Sequence, residues 1–299
     1  MCGIVGIHLR NPDLEPELGI LTTRMLEAMT ERGPDSAGIA LYEATGTGTA
    51  TKVTLRSRDD SPYDWDGLAA QLSEMLDTPA GLRLAGPGAV VTLEVAAHEA
   101  SARIHAIDDT LRIVSRGHAL ELFKDVGTPR EICDRYDIPR RAGYQAIGHT
   151  RLATESAVTT EHSHPFSPGD DICLVHNGSF SNYFTIRRDL EDEGIEFVTD
   201  NDSEVAARWI ALEMERGLDL GGALKSMMGA MDGFYTLLVS TRNQFAVVRD
   251  AFACKPAVIA ETDDYIAMAS EYRALAELPG IEEAYVFEPM PEDIHLWSR

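Results

Sequence analysis

Met1-Cys2-Gly3-Ile4-Val5-Gly6-Ile7 opens the chain. Removal of the initiator methionine, usual before a small residue, leaves Cys2 with a free α-amine next to its own thiol. An α-amine titrates near roughly 8 and a free thiol near roughly 8.5, so the amine can take the thiol proton directly or through one water. No separate histidine is then needed. The plainer reading of one such cysteine is a small buried thiol ahead of an apolar strand, and the rest of the sequence has to decide between the two.

With 299 residues, 44% of them hydrophobic, the chain is long enough for one large or two ordinary globular domains with a core. A formal net charge of −23 argues against a nucleic acid or an anionic membrane as partner, because those surfaces need clustered Lys and Arg. The four cysteines, Cys2, Cys133, Cys173 and Cys254, have neither CxxC spacing nor the density of a disulfide framework. A reducing compartment and no metal site are expected. No charged leader precedes an apolar run, and no apolar run approaches the roughly eighteen residues of a membrane span, so a cytoplasmic protein is expected.

Gly3–Leu9 reads as a buried strand stopped by Asn11-Pro12-Asp13. Leu18, Leu21, Met25, Leu26 and Met29 recur at helical spacing over about 18–30. Arg32-Gly33-Pro34-Asp35-Ser36-Ala37-Gly38 is a glycine-punctuated turn into a strand at 39–42; its glycines fit either a close backbone approach or a plain turn. From about 43 to 140 the texture becomes Thr/Gly-rich and charged, with a helix-like run at 68–76 and strand-like runs near 90–95 and 111–114. This span reads as an inserted small α/β subdomain. It has no phosphate loop, and His98, His105 and His118 lack metal-ligand spacing.

A strand then ends in His149-Thr150-Arg151-Leu152-Ala153-Thr154, and 172–176 forms another that delivers His176-Asn177-Gly178. A helix with Tyr183, Ile186 and Leu190 on one face follows, capped by Ser181 or Asn182, and Asn201-Asp202-Ser203 caps the next. A third helix covers about 222–231, and strands follow at 234–240, 244–249, 257–260 and 265–269. Short links between those strands imply antiparallel pairing. The fold class is therefore α+β, with sheets packed against helix layers.

If Cys2 attacks a carbonyl, the site also needs donors for the developing oxyanion and groups that hold the substrate. Asn177-Gly178 at a strand end can supply a side-chain amide and a backbone N–H, though Asn-Gly is also the commonest hairpin turn. Arg151 offers a planar fork for a carboxylate, or a surface ion pair. Asp202 could bind an ammonium group, or simply start a helix.

In order along the chain, Cys2-Gly3-Ile4-Val5-Gly6-Ile7, the 32–38 turn, Gly148-His149-Thr150-Arg151-Leu152-Ala153-Thr154, His176-Asn177-Gly178, Asn201-Asp202-Ser203-Glu204, Arg249-Asp250 and Ala269-Ser270-Glu271 resemble the motifs of the class II glutamine amidotransferases. Those are N-terminal-nucleophile (Ntn) hydrolases built as a four-layer αββα sandwich. The resemblance covers the chain as one domain over 2–299, apart from the insert at about 43–140. It implies that Cys2 attacks the side-chain amide of L-glutamine to form a thioester, with its α-amine carrying the proton. It places Asn177 and Gly178 in the oxyanion hole, Arg151 on the substrate α-carboxylate and Asp202 on its α-ammonium, and counts Thr154 among the substrate-binding residues.

The departures are Thr154-Glu155-Ser156, His162-Ser163-His164-Pro165 and Ala253-Cys254-Lys255-Pro256, which bear on closure of the glutamine loop and on signalling to a partner. Length and insert resemble, within the family, the amidotransferase-like component of N-methylglutamate synthases (methylamine–glutamate N-methyltransferases), relatives of glutamate synthase. That likeness implies a place in methylamine metabolism and ammonia delivery to separate, glutamate-synthase-like synthase subunits. No cofactor is expected in this chain; any flavin or iron–sulfur cluster would belong to those partners. A second reading is a catalytically quiet scaffold or regulatory component that binds glutamine, glutamate or an amine without turnover.

Overall fold

The computed structural model describes residues 2–43, 50–58, 60–152 and 158–299. Three antiparallel sheets organise them. The first has seven strands in the order Tyr285–Phe287, Val258–Glu261, Tyr265–Ala269, Gly3–Leu9, Gln145–Arg151, Ser36–Tyr42 and Leu120–Val126. The second has five, in the order Ile294–Ser298, Gln244–Arg249, Gly233–Thr241, Ile172–Phe180 and Phe166–Gly169.

These two sheets lie face to face, and each is covered on its other side by helices. Along Gly3–Leu9 the pleat sends Ile4 into the space between the sheets, where it meets Val175, Leu238 and Phe245. It sends Val5, Ile7 and Leu9 outward, against Leu18, Leu21, Met25 and Leu26 of the helix Leu18–Glu27. A strand buried on both faces has no polar side to show, which is why it reads as a continuous apolar run rather than an alternation. On the far side, Leu174, Leu237 and Val239 pack against Val205, Ile210 and Leu224 of the helices Asp202–Glu215 and Leu220–Ala230. The result is the expected α+β, αββα arrangement. Gly6 sets how closely the sheets approach: a Cβ there would lie 2.4 Å from Leu238 Cδ2 and 3.0 Å from the Phe245 ring.

The third sheet, ordered Gly81–Ala85, Gly88–Leu93, Thr51–Arg56 and Arg112–Gly117, carries the helices Trp65–Leu76 and Ala97–Ile107 and a core of its own around Val53, Leu55, Leu72, Val91 and Ile104. This separate unit is narrower than the 43–140 span read from composition. Leu120–Val126 pairs with Ser36–Tyr42 at the edge of the first sheet, and the helix Pro129–Arg135 puts Ile132 and Cys133 into the core under Leu18–Glu27. That helix starts locally, at a Thr128–Glu131 capping box with Pro129 in its first position.

Two helix starts also differ from expectation. Asn182 makes no cap; its amide instead bridges Ala230 O and Asp232 N, both at 2.9 Å. Asp219 caps the last helix through Gly222 N at 2.7 Å, so that helix begins at Leu220. Asn201 does cap, accepting from Ser203 N at 2.9 Å. Among the described residues no helix is long and apolar enough to cross a membrane.

Candidate active site

The register of the first sheet brings Cys2 and Arg151 to one edge. Gly3 lies opposite Thr150 and Ile4 opposite His149, so the chain end and the end of Gln145–Arg151 emerge together. The second sheet meets them there: His149 Nε2 donates to His176 O at 3.0 Å, one residue before Asn177. Cys2, Arg151, Asn177 and Gly178 thus sit at the same end of the sandwich. The glycine turn also proves to be a close approach rather than a plain turn. A Cβ on Gly33 would lie 2.5 Å from Arg151 N, and Asp35 N donates to Arg151 O at 3.1 Å.

Asn177 is buried, and among the described residues its Nδ2 has no hydrogen-bond partner. A buried unpaired donor costs on the order of 1–3 kcal/mol. A developing oxyanion requires such an unspent donor. Gly178, at φ 154°, can be nothing but glycine: a Cβ would lie 2.1 Å from Phe234 O and 2.6 Å from Tyr235 Cα. The His176 ring also lies close, its Nε2 2.9 Å from that Cβ position.

Asp202 stands at the first turn of its helix with its carboxylate turned to the same strand. Its Oδ2 accepts from Phe180 N at 2.9 Å and its Oδ1 from Ser203 Oγ at 3.2 Å. Since the Ser203 proton goes to Asp202, His176 Nδ1 donates to Ser203 Oγ across 2.8 Å. One chain of hydrogen bonds therefore runs from the residue before Asn177 to Asp202. A carboxylate has about four acceptor positions, so Asp202 keeps capacity for an ammonium group.

The N-terminus itself is clamped by residues to which sequence reading assigns no role. Arg32 donates through Nε to Cys2 O at 3.0 Å and through Nη1 to Glu271 Oε1 at 2.6 Å. Ser270 exchanges two bonds with Ile4, accepting from Ile4 N at 3.0 Å and donating its N–H to Ile4 O at 2.9 Å. The signal was present in the quoted 32–38 and 269–271 stretches; what was missing was their meeting in space. Of the other thiols, burial pushes Cys133 up to about 12 and Cys173 higher still, so both are inert. Cys2 is only half-buried.

Behind the site lie three buried imidazoles. His149 and His164 stack with ring centroids 4.1 Å apart, and His176 lies 6.4 Å from His164. Burial holds His149 down to about 3 and, with the neighbouring imidazoles adding to it, puts His164 well below its usual value; burial also lowers His176 against the pull of the Asp202 carboxylate, so all three are neutral at physiological pH. Thr154 lies outside the described residues. Among the described residues no group of three His, Cys, Asp or Glu is placed to hold a metal ion.

A half-buried thiol, an arginine fork, an amide without a partner among the described residues next to the Gly178 backbone, and a carboxylate can together hold an α-amino acid and attack a carbonyl in its side chain. Comparisons with known proteins agree with this reading. Residues 149–277 match a family model described as a glutamine amidotransferase domain. A glutamine amidotransferase-like protein, GlxB, of Rhizobium meliloti (strain 1021) is 48% identical over 300 residues, which is 100% of this chain and 99% of the relative. A second relative, from Methanothermobacter thermautotrophicus, is 35% identical over 303 residues and 97% of each chain. In fold, the solved allosteric regulatory enzyme of purine biosynthesis superposes with a TM-score of 0.65 at 20% identity, over 99% of this chain and 46% of that one. The glutamine phosphoribosylpyrophosphate amidotransferase of B. subtilis gives 0.63 at 19% identity, over 100% of this chain and 49% of its own. The chain thus spans about half of each of these two solved proteins.

Proposed function

Because this chain belongs to the class II glutamine amidotransferases, we propose that it hydrolyses the side-chain amide of L-glutamine through a thioester on Cys2 and supplies the ammonia to a separate synthase partner. The Cys2 thiol gives its proton to the α-amine as Sγ adds to the amide carbon. Asn177 Nδ2 and the Gly178 N–H take the charge on the carbonyl oxygen. The ammonium proton passes to the departing nitrogen, so ammonia leaves and a thioester remains. Water then adds to the thioester carbon, the amine takes its proton, and the thiolate departs to give glutamate. Arg151 and Asp202 hold the α-carboxylate and α-ammonium, and Thr154 joins them in binding the substrate.

The observation that carries this reading is the buried Asn177 amide, without a partner among the described residues, at the same end of the sandwich as Cys2. As to the acceptor, the inserted subdomain supports the role of amidotransferase component in an N-methylglutamate-synthase-like complex, with any flavin or iron–sulfur cluster in the partners.

The test is glutamate release from glutamine, measured with the co-purifying partners for the wild type and Cys2→Ala. Equal rates would reject the proposal. A glutamine-analogue electrophile should add its mass to the wild type and not to Cys2→Ala. If no adduct forms, the chain is instead the quiet, amino-acid-binding component.

A further inference from the structure

A cavity of about 380 Å³ lies where four parts of the fold meet: the inserted sheet, the edge strand Leu120–Val126, the segment around 160–168, and the helix Asp202–Glu215. Its size falls at the lower end of the range for small-molecule sites. It is distinct from the Cys2 end of the sandwich, since none of Cys2, Arg151, Asn177 or Asp202 lines it. Leu111, Ile113, Phe166 and Ala207 give it apolar walls.

The charges around it decide what it can hold. Arg56, Arg112, Lys124 and Arg208 line it, against the acids Asp109, Glu161 and Glu204, with His105 at one side. With the imidazole neutral the lining carries one net positive charge. The acids near the arginines are already spent. Glu161 pairs with Arg112, and Glu204 accepts from Val198 N, Thr199 N and Thr199 Oγ at 3.0, 2.8 and 2.7 Å and faces Arg208.

Two cations keep capacity. Among the described residues Lys124 Nζ meets only carbonyls, Ser163 O at 2.7 Å and Glu161 O at 3.1 Å, and sits 4.6 Å from the centroid of the Phe166 ring. Arg208 donates weakly to Pro168 O at 3.3 Å, and its buried Nε has no partner among the described residues. A dianionic phosphate would face three carboxylates across the cavity, whereas a single carboxylate balances the lining.

We propose that this cavity is a second ligand site, which takes a small monocarboxylate with an apolar body between Lys124 and Arg208. The occupant touches both structures that frame the glutamine end. Lys124 holds the segment that follows Arg151 by its carbonyls, and Glu204 with Thr199 fixes the start of the helix that carries Asp202. Binding therefore couples to the affinity for an amino acid without adding a group to the reaction, and the proposal stands whether or not Cys2 turns glutamine over.

The experiment is calorimetric titration of the purified full chain with butanoate, hexanoate and octanoate, with hexanediamine and inorganic phosphate as contrasting probes. Saturable binding of one of the monocarboxylates is expected. Binding should be weaker by about 10- to 100-fold in Lys124→Met and in Arg208→Gln, the worth of one hydrogen bond to a charged group, and unchanged in Cys2→Ala. Lys124→Met keeps the stem over Phe166, and circular dichroism of each variant checks that it folds; Arg208→Gln, on a helix flank, serves alone if the first does not. No saturable carboxylate binding, stronger binding of phosphate or diamine, or wild-type affinity in the folded variants each overturns the proposal.

Discussion

Replacing His164 by leucine should flatten the protein's loss of stability in acid. His164 is 5% exposed, and His149, which stacks on it, is 0% exposed. Neither His164 ring nitrogen has a partner among the described residues, and burial holds its pKa well below the usual value. In the unfolded chain the same imidazole titrates near roughly 6.5. The folded pKa is thus the lower of the two, so below about pH 6.5 the unfolded state binds more protons. Stability therefore falls as pH falls from there toward the folded value.

At about pH 5, some 1.5 pH units below the unfolded pKa, a native imidazole that stays neutral costs about 2 kcal/mol. His149 and His164 together would put up to about 4 kcal/mol at risk, against a typical total of about 5–15 kcal/mol. Leucine removes one of the two. Its packing change is the same at every pH, so it cancels when each protein is compared with itself. Urea unfolding at about pH 8 and about pH 5 should show the wild type losing about 2 kcal/mol more than the variant between the two conditions. Equal losses would refute a buried neutral His164.

Asn177→Ala should lower kcat for glutamine hydrolysis by roughly 100- to 1000-fold with little change in KM; steady-state glutamate release tests this, and an unchanged kcat would remove Asn177 from the oxyanion hole. Gly178→Ala places a methyl 2.1 Å from Phe234 O, so it should cost at least about 1–3 kcal/mol of stability as well as turnover, read by thermal unfolding beside the same assay.

The seven-residue strand at the start was legible because nothing in it competes with burial on both faces. The end of the insert was not. Leu120–Val126 contains Glu121, Lys124 and Asp125, and by composition it belongs with the charged stretch before it. In the fold Glu121 is buried among Lys52, Arg83 and Arg141, and Asp125 lies between Arg56 and Arg135. Those cations come from elsewhere in the chain, so the neutralisation that lets a charged strand enter a sheet has no local signature. Asn182 shows the same limit at smaller scale: a good capping residue spends its amide on the Ala230–Asp232 turn instead. The candidate site was legible in part: Cys2, Arg151 and Asp202 stand at element ends, whereas Asn177 and Gly178, read as the end of a strand at 172–176, lie within Ile172–Phe180, opposite Thr236 and Tyr235. The three imidazoles behind it were not, since His149, His164 and His176 come together only through the facing of two sheets.

The clamp on the N-terminus also bears on the order in which the molecule is made. Gly3–Leu9 is an interior strand, yet its two neighbours are Gln145–Arg151 and Tyr265–Ala269, and the carboxylate that steadies Arg32 belongs to Glu271. The first strand translated must wait for nearly the whole polypeptide before both its edges are paired. Such distant pairing slows folding. Synthesis from the N-terminus thus delivers Gly3–Leu9 well before either strand that pairs with it, and Tyr265–Ala269 last of the three.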